Sequence, residues 1–263
     1  MVRETPTASR AGLILPRLTS TMRNCGSSVL LECMGEPMVE RREGPGRLRP
    51  MASMIVTRAR PAVVHTVRAT VLFADLRGYT GMAETLPAAR VVPLLEEFFR
   101  TLSNATQTYG GKVFHMAGDG MMAGFGVDRT SGNGAREALA AGHAMLRDFA
   151  PIANRWRGEL SIDAGIGVGL HEGEVAVGVL GPPRRRAATL VGDTVNVAAR
   201  LCSRARAGEV LFSCTVATAL DGDMAAPAAP GLPPFLQLPQ FALRGRRGPI
   251  DIWCVPAPER LAL

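Results

Sequence analysis

Asp75 closes the apolar run ATVLFADL, and 44 residues later Asp119 sits between Gly118 and Gly120. Carboxylates at a strand end and at a tight turn converge when the two strands are sheet neighbours. With water and phosphate oxygens they form the hard, octahedral ligand set that Mg²⁺ takes. Each aspartate alone is a weak signal, and Asp119, which precedes Gly120, reads more readily as a turn former. In LRGYT, Gly78 lets backbone N–H groups turn toward a phosphate as an anion-binding nest, or else makes an ordinary strand-to-helix turn. Asn196 and Arg200 in GDTVNVAAR are four apart and share a helix face. An amide beside a guanidinium suits a ribose and a phosphate gaining charge in a transition state, and it also suits a solvated helix face. The glycines at 165, 167 and 169 lie inside a strand, so they are no dinucleotide fingerprint.

These residues need elements to position them. The run ending at Asp75 predicts a strand. Pro87 to Tyr109 places Val91, Val92, Leu95, Phe98, Phe99 and Leu102 on one helical face, with Gly110-Gly111 as the stop. KVFHMAGDGMMAGFG predicts a β-hairpin turning at Asp-Gly. A second amphipathic helix is expected over 131–150, starting at Ser131. LSIDAGIGVGLHEGEVAVGVLG predicts a glycine-punctuated pair of strands, and a third helix runs from Asp193, its N-cap, to about Arg206. Residues 222–235 read as Pro/Ala-rich loop, and FALRG and IDIWCV as two closing strands. Mixed strands, helices and hairpins point to an α+β sheet covered by helices rather than a doubly wound parallel fold.

The 263 residues allow one large domain with an extension, or two small ones, and 47% hydrophobic content supports a substantial core. The net charge of +7 is uneven: residues 1–60 hold ten arginines against five glutamates, while the other 203 hold 20 basic and 18 acidic residues. The tail 1–60 reads as Arg-rich and disordered, able to meet acidic partners. The folded part lacks the excess that a nucleic-acid face needs. Apolar stretches such as SSVLL are far too short for a membrane span, so a cytoplasmic protein is expected. Five cysteines without a close pairing predict buried free thiols rather than a zinc site or disulfide framework. Lys112 is the only lysine.

Taken in order and spacing, FADLRGYT, AGDGMMAGFG, GVGLHEGEVAVGVLG and TLVGDTVNVAARL with RAGEVLFS resemble the class III adenylate/guanylate cyclase catalytic domain, over about 66–255. The resemblance implies a ferredoxin-like βαββαβ sheet with flanking helices, acting as a homodimer with its active sites between the two domains. It implies that Asp75 and Asp119 hold two Mg²⁺ ions, with Mn²⁺ as a substitute and the Leu76 carbonyl helping. The turn from Arg77 to Thr80, with Gly78, Tyr79 and Thr80 as its binding residues, would lie near the phosphates. Asn196 and Arg200, supplied by the second protomer, would orient the ribose and stabilise the α-phosphorus. Arg244 stands where the family has a lysine on the terminal phosphates, with forked donors that need different placement. The base reader is a lysine in adenylate cyclases and His115 here, with Thr189 as its companion; Ala187 and Ala188 replace a frequent Asp-Tyr. The Glu and Cys of guanylate cyclases are absent, which favours ATP over GTP. The expectation is an adenylate cyclase forming 3′,5′-cyclic AMP and pyrophosphate, requiring no nucleic acid and having no membrane segment. Its alternatives are a guanylate cyclase or a catalytically silent nucleotide-sensing or dimerisation module. For His115, the alternative is a packed strand residue.

Overall fold

The computed structural model describes residues 64–128, 132, 134–182, 184–221, 234–242 and 248–256. The expectations for the tail 1–60, the helix start at Ser131, most of the 222–235 loop, the end of FALRG and Arg244 fall outside these residues. Strand β1 (His65–Arg77) leads through α1 (Tyr79–Thr85) and α2 (Ala88–Thr108) to the hairpin β2 (Lys112–Ala117) and β3 (Gly120–Phe125). Then follow α3 (Ala135–Leu160), β4 (Gly165–Leu180), β5 (Ala187–Val191), α4 (Asp193–Arg204), β6 (Glu209–Ser213), α5 (Cys214–Asp221), β7 (Leu236–Ala242) and β8 (Pro249–Val255).

The sheet order is β2-β3-β1-β4-β6-β8-β7, with β5 paired to β4. Its first four strands with α2 and α3 form the expected βαββαβ unit, with β1 antiparallel to both neighbours. That central place explains the continuous apolar run of β1, since a strand covered on both faces has no polar side. Leu72, Ala74 and Leu76 enter the core beneath α2 and α3, whereas Val67, Ala69 and Val71 face a second cluster that includes Ala198 of α4. Among the described residues, no helix is long and apolar enough to cross a membrane. Cys202 and Cys254 are buried thiols outside any disulfide, and Cys214 is a half-buried one.

Three local expectations need correction. The Leu160–Gly181 stretch holds one 16-residue strand rather than two. β1 pairs with β4 from His65↔Val177 to Arg77↔Gly165, leaving no room for a turn, and the hairpin partner of β4 is β5. Helix α3 begins after Gly134, which is left-handed, and runs through Pro151 to Leu160. The missing N–H of Pro151 is outweighed by burial of Phe149, Ala153 and Trp156, the two rings meeting edge-on at 5.2 Å. Gly192, not Asp193, caps α4; a Cβ there would lie 3.1 Å from the Glu174 carbonyl oxygen.

The glycines of β4 have a steric cause. Gly165, Gly167 and Gly169 alternate along the strand and so share one face, opposite Ile166, Val168 and Leu170 in the core. Helix α4 lies on that glycine face with its backbone. A Cβ on Gly169 would stand 2.0 Å from the Cys202 nitrogen and 2.5 Å from the Ala198 oxygen. Gly169→Ala should therefore cost about 1–3 kcal/mol or more, because main chain rather than a flexible side chain must move. Exposed Gly158 in α3 has nothing within 4 Å of its Cβ position, and Gly158→Ala should gain about 0.5–1 kcal/mol. Denaturant unfolding of both variants checks the contrast, and equal effects would refute the close-approach account.

Candidate active site

The two aspartates meet because β1 and β3 are neighbours. Asp75 pairs with Gly120, and the Leu76 N–H donates to the Asp119 carbonyl at 2.9 Å, which pins the hairpin turn against the end of β1. Gly118 takes φ 59° in that turn. A Cβ on Gly120 would lie 3.5 Å from Asp75 Oδ1, so the glycine leaves that face of the carboxylate open. Burial pushes Asp75 up to about 6, with the Asp119 charge adding to the rise and the Arg77 guanidinium opposing it. The half-buried carboxylates thus repel each other in a partly desolvated corner, and a hard cation between them relieves both penalties. Among the described residues, no group of three or more His, Cys, Asp or Glu could hold a metal ion. A cation here would hold two protein carboxylates and complete its shell with backbone, water or phosphate oxygens, which suits Mg²⁺ or Mn²⁺.

Gly78 follows directly. It adopts φ 87°, ψ 0°, accepts the Met82 N–H at 3.1 Å, and has no space for a Cβ, which would fall 2.3 Å from the Asp163 oxygen. Tyr79 packs its side chain against the core and Thr80 is exposed, so of the three turn residues Thr80 offers a side chain outward.

His115 reaches this side of the sheet through an irregularity. On edge strand β2, Val113 pairs with Ala123 but His115 pairs with Met122, leaving Phe114 as an extra bulged residue. Directly opposed residues share a face, and Met122 also opposes Phe73, two positions before Asp75 on β1. The bulge therefore puts His115 on the Asp75 face, whereas simple alternation from Val113 would have aimed it toward the α2 side. His115 is exposed. Thr189 is half-buried on β5, which contacts β2.

Helix α4 buries Thr194, Val197, Ala198, Leu201 and Cys202. Asn196 is exposed and Arg200 half-buried on its other side, so both are presented outward, away from the sheet. His171, in the same motif as the β4 glycines, stays apart: its Nδ1 shares a 2.6 Å hydrogen bond with Ser213 Oγ.

Arg77 was expected only as the start of the turn near the phosphates, and its links to Asp75 and α4 were not foreseen. Its guanidinium pairs with Asp75 Oδ2, and it donates to the Ala205 carbonyl at 3.0 Å and to the Cys202 carbonyl. Burial pushes the Cys202 thiol beside it up to about 12, so that sulfur is an inert neighbour. An arginine two residues after a strand-end aspartate was the available signal, but its targets lie on α4, more than 120 residues away.

Comparison with known proteins accounts for this arrangement. The family model described as the adenylate and guanylate cyclase catalytic domain matches residues 63–230, well over half of the chain. The chain belongs to that family. The adenylyl cyclase CyaB from P. aeruginosa superposes with TM-score 0.66 at 29% identity, over 73% of this chain and 95% of that one. The guanylyl cyclase Cya2 gives 0.63 at 27% identity, over 73% and 93%. An adenylate cyclase of Anabaena cylindrica is 31% identical over 144 residues, 52% of this chain and 27% of its own length. The chain spans about a quarter of the length of the curated relatives it matches.

The raised Asp75 value carries a pH signature. The folded chain binds this proton more tightly than the unfolded chain, so ionising Asp75 costs stability. The cost is absent below the ordinary value of 3.8 and complete above about 6. In chelator, Asp75→Asn should melt above the parent at about pH 7.5 and level with it at about pH 3.5. A constant difference across this range, read by thermal denaturation, would contradict the assignment.

Proposed function

We propose that the unit spanning 66–255 is an adenylate cyclase that converts ATP to 3′,5′-cyclic AMP and pyrophosphate as a homodimer. The observation that carries this reading is the convergence of Asp75 and Asp119 at the β1–β3 junction. These carboxylates, with the Leu76 carbonyl, would hold two Mg²⁺ ions. Bound there, Mg²⁺ would lower the pKa of the 3′-hydroxyl and neutralise charge on the departing pyrophosphate.

The chain's own groups do the rest. The turn at Gly78 directs its backbone toward the phosphates, with Thr80 beside it. Arg200 meets the charge that builds on the α-phosphate, and Asn196 fixes the ribose so that its 3′-oxygen is in line. Because both project away from the sheet, they suit the site of a second copy. Met116, Val179, Leu180 and Val191 support this pairing as exposed apolar residues on β2, β4 and β5. Arg244 takes the terminal phosphates.

His115 and Thr189 read the base. A neutral imidazole offers one donor and one acceptor to a purine edge, and the exposure of His115 leaves it available. Relatives named for both nucleotides stand at similar identity. The preference for ATP therefore rests on these side chains and on the absence of the guanylate-type pair.

Assay of purified protein with ATP and GTP, each with Mg²⁺ or Mn²⁺, should give cyclic AMP as the main product by mass. Asp75→Ala and Arg200→Ala should each be inactive, yet a mixture that exchanges subunits should recover activity, since one site then has every group intact. No recovery would refute the shared site. His115→Ala should lose about 1–3 kcal/mol of transition-state stabilisation with ATP, while His115→Lys keeps or improves turnover. Since His115 is exposed, neither change should lower the melting temperature; equal effects on ATP and GTP would remove it from base reading.

A further inference from the structure

We propose that Arg77 is a positioning residue that occupies the place of a cation on Asp75 and links metal loading there to the C-terminal end of α4. The inference rests on the reading of Asp75 as a metal ligand. Asp75 and Arg77 are two apart on β1 and so point to the same face. The Arg77 side chain crosses β4 at Gly167, where a Cβ would fall 2.6 Å from Nη2 and 2.7 Å from Nε. The missing side chain at Gly167 is the passage through which it reaches α4.

The two oxygens of Asp75 have different surroundings. Oδ1 faces Gly120 in the turn that carries Asp119, whereas Oδ2 is taken by Arg77 Nη1. A cation bridging the two aspartates meets a guanidinium already bound to one of its ligands, and like charges this close repel. Full use of Asp75 by metal therefore requires Arg77 to give up Oδ2. The same guanidinium donates through Nε to Ala205 and through Nη2 to Cys202, carbonyls that close the last turn of α4. Its fork is planar, so a shift at Nη1 moves the other donors as well. Loading the carboxylates thus loosens the end of the helix that presents Asn196 and Arg200. In a dimer with shared sites, those residues serve the opposite site, so occupancy of one site changes the other's transition-state groups.

The test uses the full chain, Mn²⁺ and saturating 3′-deoxy-ATP, which cannot cyclise, with free Mn²⁺ measured by electron paramagnetic resonance. Arg77→Gln should bind Mn²⁺ about threefold or more tighter than the parent, because the competing charge is gone. Arg77→Lys keeps the charge and should bind as the parent does. Its melting temperature should fall, because one ammonium cannot serve Asp75 and both carbonyls. In the parent, Mn²⁺ with nucleotide should speed amide exchange over 201–206, against the slowing that ligands usually cause. A folded Arg77→Gln that binds Mn²⁺ no tighter, or an Arg77→Lys that tightens equally, overturns the proposal. If Arg77→Gln does not fold, unchanged or slower exchange over 201–206 in the parent overturns it. Asp75→Asn separates the two readings. If that variant binds Mn²⁺ undiminished, the metal-ligand reading fails and this inference with it. If binding is lost there but Arg77→Gln matches the parent, only the Arg77 inference fails.

Discussion

The contact on which the structure depends is made without side chains. At Gly169 the main chain of α4 rests on the main chain of β4, closer than any Cβ would permit. Close approach fixes the height of α4 above the sheet and, because its buried stripe is narrow, its rotation as well. Asn196 and Arg200 owe their outward presentation to that rotation. Arg77 owes its reach to the low height, since a helix held off by an ordinary layer of side chains would stand beyond a guanidinium rooted on β1. The glycines thus set where these side chains stand although none carries a functional group.

A second constraint acts on the carboxylates. One backbone hydrogen bond, from Leu76 to Asp119, joins the end of the central strand, buried over 69–72, to a partly exposed turn. It leaves Asp75 half desolvated, next to like charge on Asp119 and opposite charge on Arg77. Strength and strain arise at the same place: Leu76 anchors the corner in the core, and the corner concentrates charge that the core does not welcome.

Much of this was legible in the chain itself. β1 announces itself as an apolar run stopped by Asp and Gly, and the hairpin by Asp-Gly between apolar arms. The βαββαβ order follows from their sequence, because each signal is local. The departures are cases where a distant partner overrides a local rule. Glycine inside a strand reads as punctuation, but its period of two along β4 marks a backbone resting on one face. Pro151 reads as a stop until the buried Trp156 beyond it is counted. The side of β2 that His115 occupies depends on which residue of β3 it opposes, and no pattern within β2 reveals the bulge. Arg77 looks like any turn-flanking arginine unless the position of α4 is known.

That bulge has a consequence for how such a domain diverges. β2 is an edge strand with a single neighbour, so its length can change without re-registering the rest of the sheet. Phe114 is the extra residue, and its deletion would restore plain alternation with His115 still opposite Met122, on the Asp75 face. The side chain that β2 presents on the Asp75 face is therefore held by its pairing with Met122, not by its distance along the chain from Val113. A lineage can gain or lose one codon at the bulge with position 115, β1 and its aspartate left in place.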